Sequence, residues 1–297
     1  MTEIGESAFE GCTGLTSIEI PSSVTEINSS AFDGCSNLQE IHVDENNCVY
    51  SSKNGLLLNK EGVTLVRVPT GLASVVVPAG VTKIGRHVFY DCTGLTSIEI
   101  PSSVTEICQN AFEDCTGLTS LEIPSSVKAI GKDAFSRCTG LTSVEIPPSV
   151  TEIGASAFLG CTGLKSIEIP SSVTKIGAWA FEGCTDLTSI ELPSSVTKIG
   201  CYAFYKCTGL TSVEIPSSVT EIGGYAFSYC TGLKSVTILS SEITIGEDAF
   251  KGCTQLKIVN LPKGLQKDNV LQKEYVFEEE DDEEDWLSED DDEDDDF

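Results

Sequence analysis

A unit of 23 residues repeats along most of this chain, and it limits the folds that the chain can adopt. Residues 95–117 read LTSIEIPSSVTEICQNAFEDCTG. Closely similar segments begin at residues 118, 141, 164, 187, 210 and 233. A constant period of this length is typical of solenoids, in which each unit buries its apolar side only against its neighbours. We therefore predict an elongated repeat architecture, without a single central core.

Each unit contains two strand-like segments and one turn-like segment. With Leu95 as position 1, apolar residues recur at positions 1, 4, 6, 10, 13, 17, 18 and 21. The alternation in T-S-I-E-I predicts a half-buried strand, which Pro101 ends because proline cannot donate a ladder hydrogen bond. V-T-E-I is predicted as a second short strand, and C-Q-N-A-F-E-D-C as a single helical turn that is stable only when packed.

Glycine recurs at positions 14 and 23 of the unit. At position 23 it is replaced elsewhere by Asn37 and Asp186, which are residue types that tolerate left-handed backbone. We therefore predict a positive φ at position 23. At position 14 the replacements include Cys108, which does not favour that conformation.

Two segments depart from the repeat. Residues 1–268 are expected to form the solenoid, with an irregular unit of 34 residues at 38–71. Asn54-Gly55 and Lys60-Glu61-Gly62 are turn signals within that unit, and they predict a hairpin that protrudes from the solenoid. Residues 269–297 have few apolar side chains and extreme charge, which predicts a disordered acidic tail.

The pattern L-x-x-I-x-I-P-x-x-V-x-x-I-G-x-x-A-F-x-x-C resembles the BspA-type, or treponemal-type, leucine-rich repeat. The resemblance covers about residues 1–265, and the segment at 38–71 is similar to an insertion common in that family. It implies a curved, β-rich leucine-rich-repeat solenoid, a right-handed superhelix with two short strands and one short helical turn per repeat. It also implies a binding protein, surface-exposed or adhesive in many members, with no shared catalytic residues.

The charge distribution disfavours several classes of partner. The formal net charge is −28, and residues 278–297 contain 16 acidic residues and no lysine or arginine. Phosphate contacts need clustered basic residues, so neither direct nucleic-acid binding nor attraction to anionic membranes is expected.

No apolar run reaches the ~18 residues of a spanning helix, so membrane insertion is not expected. As it stands, the sequence predicts a monomeric cytoplasmic protein, whereas a signal peptide upstream of Met1 would place it at the cell surface.

Cysteine and histidine are the first candidates for chemistry. Ten of the 13 cysteines occupy position 21, which suggests a disulfide ladder, a metal site or packed thiols. Side chains that point in parallel rarely meet the disulfide torsion, and the C-x-x-C pairs typical of zinc sites do not occur in the sequence. We therefore interpret these cysteines as core residues and expect no cofactor. His42 and His87, the two histidines, are interpreted as surface residues, so no catalytic triad and no enzyme is predicted.

The outward side of the first strand is the strongest candidate for binding. Position 5 carries glutamate in six consecutive repeats, which we call the acidic stripe. The stripe consists of Glu99, Glu122, Glu145, Glu168, Glu191 and Glu214. Like charges stacked on neighbouring strands destabilise each other, so this surface would accept a cationic partner; the alternative is a solvated face copied with the repeat. The leading hypothesis is a non-catalytic protein–protein interaction or adhesion-type module that uses this face as its concave side.

The acidic tail offers a second hypothesis. Trp286-Leu287 interrupts the acidic residues and could be a short docking motif for a protein partner. In this case the chain would be an intracellular scaffold whose tail captures basic proteins such as histones. A tail that only increases solubility is the alternative.

Overall fold

The computed structural model describes residues 1–265. Within them the chain winds into a β-solenoid of about 11 turns, here called rungs, and the fold class predicted from the sequence is confirmed. The predicted acidic tail at 269–297, with Trp286 and Leu287, lies outside the described residues.

Most rungs contribute two short strands, one from T-S-I-E-I and one from V-T-E-I. In chain order the strands are β1 (Glu3–Ile4), β2 (Ser17–Ile20), β3 (Glu26–Ile27), β4 (Glu40–Val43), β5 (Tyr50–Lys53), β6 (Leu56–Asn59), β7 (Thr64–Arg67), β8 (Ser74–Val76), β9 (Lys83–Ile84), β10 (Ser97–Glu99), β11 (Glu106–Ile107), β12 (Ser120–Glu122), β13 (Ala129–Ile130), β14 (Ser143–Glu145), β15 (Glu152–Ile153), β16 (Ser166–Glu168), β17 (Lys175–Ile176), β18 (Lys198–Ile199), β19 (Ser212–Ile215), β20 (Glu221–Ile222), β21 (Ser235–Ile238), β22 (Thr244–Ile245) and β23 (Ile258–Asn260).

The two strand columns differ in continuity. The second strands belong to one 11-stranded sheet with the order β22-β20-β18-β17-β15-β13-β11-β9-β7-β6-β5, and a separate pair, β1-β3, lies at the N-terminal end. The first strands form shorter parallel sheets, β2-β4, β8-β10, β12-β14-β16 and β19-β21-β23. The solenoid therefore has two strand surfaces, one formed by the first strands and one by the second strands, and they expose different residues.

The core consists of stacked columns of identical side chains. Phenylalanine at position 18 is almost completely buried in the central rungs, as Phe112, Phe135 and Phe158 illustrate. Successive rings stack nearly parallel, with centroids 4.6–5.6 Å apart and interplanar angles of 3–10°. Each buried leucine, isoleucine or phenylalanine contributes about 1.5–3 kcal/mol of transfer free energy. The repetition of such residues in every rung holds the solenoid together without disulfides or metals in the described part.

The segment predicted as a helical turn is a series of hydrogen-bonded turns, and residues 1–265 contain no helix. Positions 16 and 20 adopt left-handed backbone, as at Asn110 (φ 56°) and Asp114 (φ 59°), which interrupts a right-handed helical path. Their N–H groups instead donate to the next rung, from Asn110 N to Lys132 O and from Asp114 N to Ser136 O, both at 3.0 Å. This third ladder takes the place of the helical bonds.

The predicted positive φ of the glycine at position 23 is wrong, because none of the glycines there has one. The requirement at positions 14 and 23 is close approach of the backbone. A Cβ on Gly177 would lie 2.6 Å from the carbonyl carbon of Gly154, and one on Gly140 would lie 2.3 Å from Thr116 O. Real Cβ atoms do not come this close to backbone, so glycine at these two residues allows the rungs to stack closely.

The irregular unit is part of the sheet and does not protrude from it. Strands β5, β6 and β7 form an antiparallel meander, with Asn54 (φ 55°) and Gly55 (φ 74°) in the turn between β5 and β6. Strand β7 then pairs in parallel with β9, with Leu65 opposite Ile84. It thereby takes the place of the second strand of this rung.

The side chain of Arg67, at the end of β7, occupies the space that the longer turn of a regular rung would fill. Four residues (68–71) connect β7 to Leu72, whereas ten residues (85–94) follow the corresponding strand β9. The Arg67 side chain is 3% exposed; its Nη2 donates to Asp33 Oδ1 (2.8 Å) and its Nη1 to His87 O (2.7 Å). It links the apolar cluster between Ile4 and Leu57 to the larger cluster that follows it.

Candidate functional site

The acidic stripe lies on the outer side of the first-strand column. All six of its glutamates are exposed, whereas the alternate position 4 is buried or half-buried in the same strands. An exposed serine at position 3 precedes each glutamate by two residues, so a polar column of serine runs beside the acidic column. The face therefore offers hydroxyl groups and carboxylates at regular positions.

Four of the six glutamates form an uninterrupted run. Glu122, Glu145 and Glu168 are direct partners on the parallel strands β12, β14 and β16. An isolated parallel bridge extends the register from Glu168 to Glu191. Neighbouring strands lie about 4.8 Å apart, so the backbone places these carboxylates at the same regular interval. We call Glu122, Glu145, Glu168 and Glu191 the acidic run.

The two outer glutamates of the stripe have different neighbours. Glu99 lies opposite Val76, which is 58% exposed, and Glu214 lies opposite Thr237. An apolar or hydroxyl residue thus borders the stripe at its ends. The structure therefore divides the six predicted residues into a central run and two flanking positions.

The second-strand column contains both signs of charge and two ion pairs, whereas the acidic stripe contains only one sign. Lys83 pairs with Glu106 at 3.1 Å, and Lys198 pairs with Glu221 at 2.8 Å, across neighbouring rungs. Within residues 1–265 no glutamate of the acidic stripe forms an ion pair. The repulsion between its members is consequently not relieved inside the described part of the chain.

The cysteines of position 21 join neighbouring rungs as thiols. All 13 cysteines are free. In eight of the ten members of this column the Sγ atom lies 3.0–3.2 Å from the phenylalanine carbonyl of the preceding rung, as between Cys161 and Phe135. Burial is the main cause that raises the pKa of the Cys115 thiol, so the sulfur keeps the proton that it donates to Phe89 O. Burial of eight of the ten residues confirms that they belong to the core; Cys12 and Cys253 lie near the ends of the solenoid.

The two histidines lie apart from each other. His42 is exposed, with Nε2 2.9 Å from Glu40 Oε2. His87 is half-buried, and burial followed by the nearby Arg67 charge lowers its pKa. Across residues 1–265 neither ring hydrogen-bonds to a serine or cysteine side chain, and no group of three or more His, Cys, Asp or Glu is placed to hold a metal ion. Nor does this part of the chain contain a helix long and apolar enough to cross a membrane.

An aromatic surface on the turn side of the solenoid was not predicted from the sequence. Trp179, Tyr202 and Tyr225 occupy position 16 of three successive rungs, and their rings stack with centroids 5.7 and 4.9 Å apart. Tyr205 packs edge-on against both Tyr202 (5.4 Å) and Tyr229 (5.6 Å). We call these five residues the aromatic face. Reading position 16 along the repeats, instead of along the chain, would have revealed the ladder.

Comparison with known proteins identifies the repeat. Residues 1–64, 68–188 and 180–279 match, in six copies, the family described as BspA type leucine rich repeat region. A comparison with curated proteins gave no match.

Several solved structures are similar to this chain. A leucine-rich repeat protein from Bacteroides ovatus is 33% identical, with a TM-score of 0.64 over 88% of this chain and 59% of that one. One from Eubacterium ventriosum is 26% identical, with a TM-score of 0.68 over 86% of this chain and 62% of that one. A leucine rich cell surface protein from Faecalibacterium prausnitzii is 28% identical, with a TM-score of 0.53 over 91% and 85% of the two chains. This chain thus spans about three-fifths of the first two. It belongs to the BspA-type leucine-rich-repeat family.

Proposed function

We propose that this chain is a non-catalytic protein-binding module of adhesion type, and that its contact surface is the first-strand face. The acidic run Glu122, Glu145, Glu168 and Glu191 selects a partner with basic residues. The observation that carries this proposal is the absence of ion pairs on the acidic stripe within the described residues, while the second-strand column carries both lysine and glutamate and forms two ion pairs.

Charge compensation by a partner supports this proposal. Carboxylates in register on neighbouring strands repel each other, and a cationic partner would turn that repulsion into attraction. The serine column beside the run adds hydrogen-bond donors and acceptors, which favour a polypeptide over a bare counter-ion. The likeness to a protein described as a leucine rich cell surface protein supports a place at the cell surface.

An acidic-tail scaffold for basic proteins is the second candidate. The observation that favours it is the cluster of 16 acidic residues in 278–297, interrupted by Trp286 and Leu287. Both candidates predict binding of basic proteins, so the test must separate the two surfaces in one intact chain.

A labelled oligolysine peptide is a suitable probe for both surfaces. One variant carries glutamine at all four positions of the acidic run, and a matched control carries glutamine at Glu26, Glu106, Glu152 and Glu221 of the second-strand column. Both lose the same charge and keep the tail. Exposed ion pairs contribute about 0.2–1 kcal/mol each, so the run variant should bind roughly tenfold or more weakly than the control.

Equal affinity of the two variants contradicts the proposal for the first-strand face. If, in addition, a Trp286→Ala, Leu287→Ala variant releases the peptide, the tail is the binding element. Fluorescence anisotropy of the labelled peptide at physiological salt measures all four proteins under the same conditions.

A further inference from the structure

The aromatic face lies on the turn side of the solenoid, away from the acidic stripe in the repeat. Trp179 is 42% exposed and Tyr229 is 41% exposed, and the other three rings are half-buried. Tryptophan and tyrosine are enriched at interfaces, where they contribute a large share of the binding free energy. Five such side chains on neighbouring rungs therefore mark a surface that solvation alone does not explain.

Glu182 is set into this surface. Its N–H donates to Trp179 O (3.1 Å) in the same turn, and it occupies position 19 between Leu159 and Tyr205 of the adjacent rungs. Burial is the main cause that raises its pKa, and the Lys206 charge opposes this only in part. No hydrogen bond or ion pair of the Glu182 carboxylate exists within residues 1–265. The chain thus keeps a partly desolvated carboxylate beside aromatic rings without a partner.

The same rings already accept a cation from within the chain. Lys206 Nζ lies 5.0 Å from the centroid of the Tyr205 ring, a cation–π distance. The neighbouring tryptophan, the residue type that binds cations best, has a ring on only one side: Tyr202 stacks on it, whereas the preceding rung carries the small Ser156 at this position.

We propose that Glu182 and the aromatic face form a second binding site, which takes an arginine or lysine side chain from an extended basic segment of a partner protein. The cation sits between the Glu182 carboxylate and the free side of Trp179. The aliphatic stem of the same residue, and its neighbours in the segment, lie across Tyr202, Tyr205 and Tyr229. This site rests on a protein-binding role for the chain but not on the acidic stripe.

The geometry favours a cationic polypeptide over a carbohydrate. Sugar rings stack on open aromatic faces, but both faces of Tyr202 are covered, by Trp179 at 5.7 Å and by Tyr225 at 4.9 Å. What remains accessible is the free side of Trp179, the edges of the tyrosine rings and one carboxylate. A carboxylate that has lost part of its hydration and has no partner gains most from a cation, because a charge-assisted hydrogen bond replaces the missing water.

The chain provides its own optical probe for this site. Trp179 and Trp286 are the two tryptophans, so a Trp286→Phe background makes the emission specific for Trp179. An arginine-rich peptide is titrated into this protein at roughly 0.5 M salt, where screening suppresses binding to exposed charges such as those of the tail. The same peptide with citrulline in place of arginine keeps the shape and hydrogen-bonding groups but carries no charge.

We expect the arginine peptide to change the Trp179 emission saturably, and the citrulline peptide to bind at least about tenfold more weakly. Glu182→Gln should weaken the binding of the arginine peptide by a similar factor, whereas Glu152→Gln, at an exposed glutamate of the second-strand column, should leave it unchanged. A thermal melt followed by circular dichroism verifies that both variants are folded.

Two results overturn the proposal: equal binding of the arginine and citrulline peptides, or equal binding by the parent protein and Glu182→Gln. The titration is also repeated on the variant that lacks the four carboxylates of the acidic run. Because that variant retains Glu182 and the aromatic face, unchanged binding there separates this site from the first-strand face. A negative result for one of the two proposed sites therefore leaves the proposal for the other site unaffected.

Discussion

Replacing Arg67 by alanine should uncouple the N-terminal rungs from the rest of the solenoid. In repeat proteins stability is the sum of terms within rungs and terms between neighbours. The guanidinium group joins Asp33 to the backbone carbonyl of His87 at the place where a regular turn is missing. Without it, the two apolar clusters would be joined mainly through the meander of the irregular unit.

The expected loss can be worked out from the burial of the pair. Arg67 is 3% exposed and Asp33 is 20% exposed, so removal of the cation leaves a largely buried carboxylate without its partner. Breaking such a pair from one side costs about 3–5 kcal/mol, and the partial exposure of Asp33 favours the lower end. The carbonyl of His87 also loses a donor, worth about 1 kcal/mol.

The loss should depend on pH in a defined direction. Burial already raises the pKa of Asp33 in spite of the Arg67 charge, and removal of that charge raises the pKa further. A carboxyl with a raised pKa in the folded state is penalised only above the unfolded value of about 3.9. The destabilisation by Arg67→Ala should therefore be largest near neutral pH and should shrink as the pH falls toward ~4.

Hydrogen–deuterium exchange measured peptide by peptide is the appropriate assay, with urea unfolding for the total free energy. Protection should fall first in residues 1–66, while the later rungs keep theirs. Lys198→Ala is the control, because Lys198 and Glu221 are 55% and 49% exposed and their pair should contribute less than about 1 kcal/mol. Equal losses for the two variants, or a uniform loss of protection along the chain, would refute the reasoning.

Three further predictions concern single rungs. Phe158→Ala removes a fully buried ring from the stacked column and should cost about 3–5 kcal/mol in urea unfolding; a loss below about 1 kcal/mol would mean that the column does not hold the rungs together. Gly177→Ala should lower the melting temperature, because its Cβ would meet backbone at 2.6 Å, whereas Gly94→Ala meets nothing within 4 Å and should leave it nearly unchanged; equal effects would contradict the close-approach argument. Glu182→Gln should raise the urea midpoint at pH 7, because burial penalises the charged carboxylate there, and the gain should vanish below the unfolded pKa of about 4.3; a gain that persists at acid pH would exclude this cause.

The sequence predicted what depends on one unit and failed where two units meet. Alternation in T-S-I-E-I placed the first strand, and the recurring Phe and Cys were correctly assigned to the core. Glycine at position 23 was misinterpreted, because a single repeat cannot show how closely the next one approaches. The positive φ at position 16 could not be predicted either, because it also depends on a contact between two rungs. The hydrogen bond to the next rung imposes it on residues as different as Asn110, Trp179 and Tyr225.

The candidate sites follow the same division. The outward direction of Glu145 or Glu168 can be predicted from strand alternation alone, and both are exposed. Their lack of ion pairs, and the pairing of Lys198 with Glu221 on the other side, depend on which residues become neighbours across rungs. The aromatic ladder was missed because its members are separated by a full period in the chain, although the period itself was known.

The column of buried cysteines gives nearly every rung a thiol whose labelling rate can be measured. A buried thiol with a raised pKa reacts with an alkylating reagent only after its rung has opened, so the labelling rate of Cys161 or Cys207 reports the opening of that rung. Peptide mapping can follow these sites separately in one sample. If neighbouring cysteines are labelled at the same rate, the rungs open together, and a gradient of rates along the chain would reveal the length over which the solenoid is cooperative.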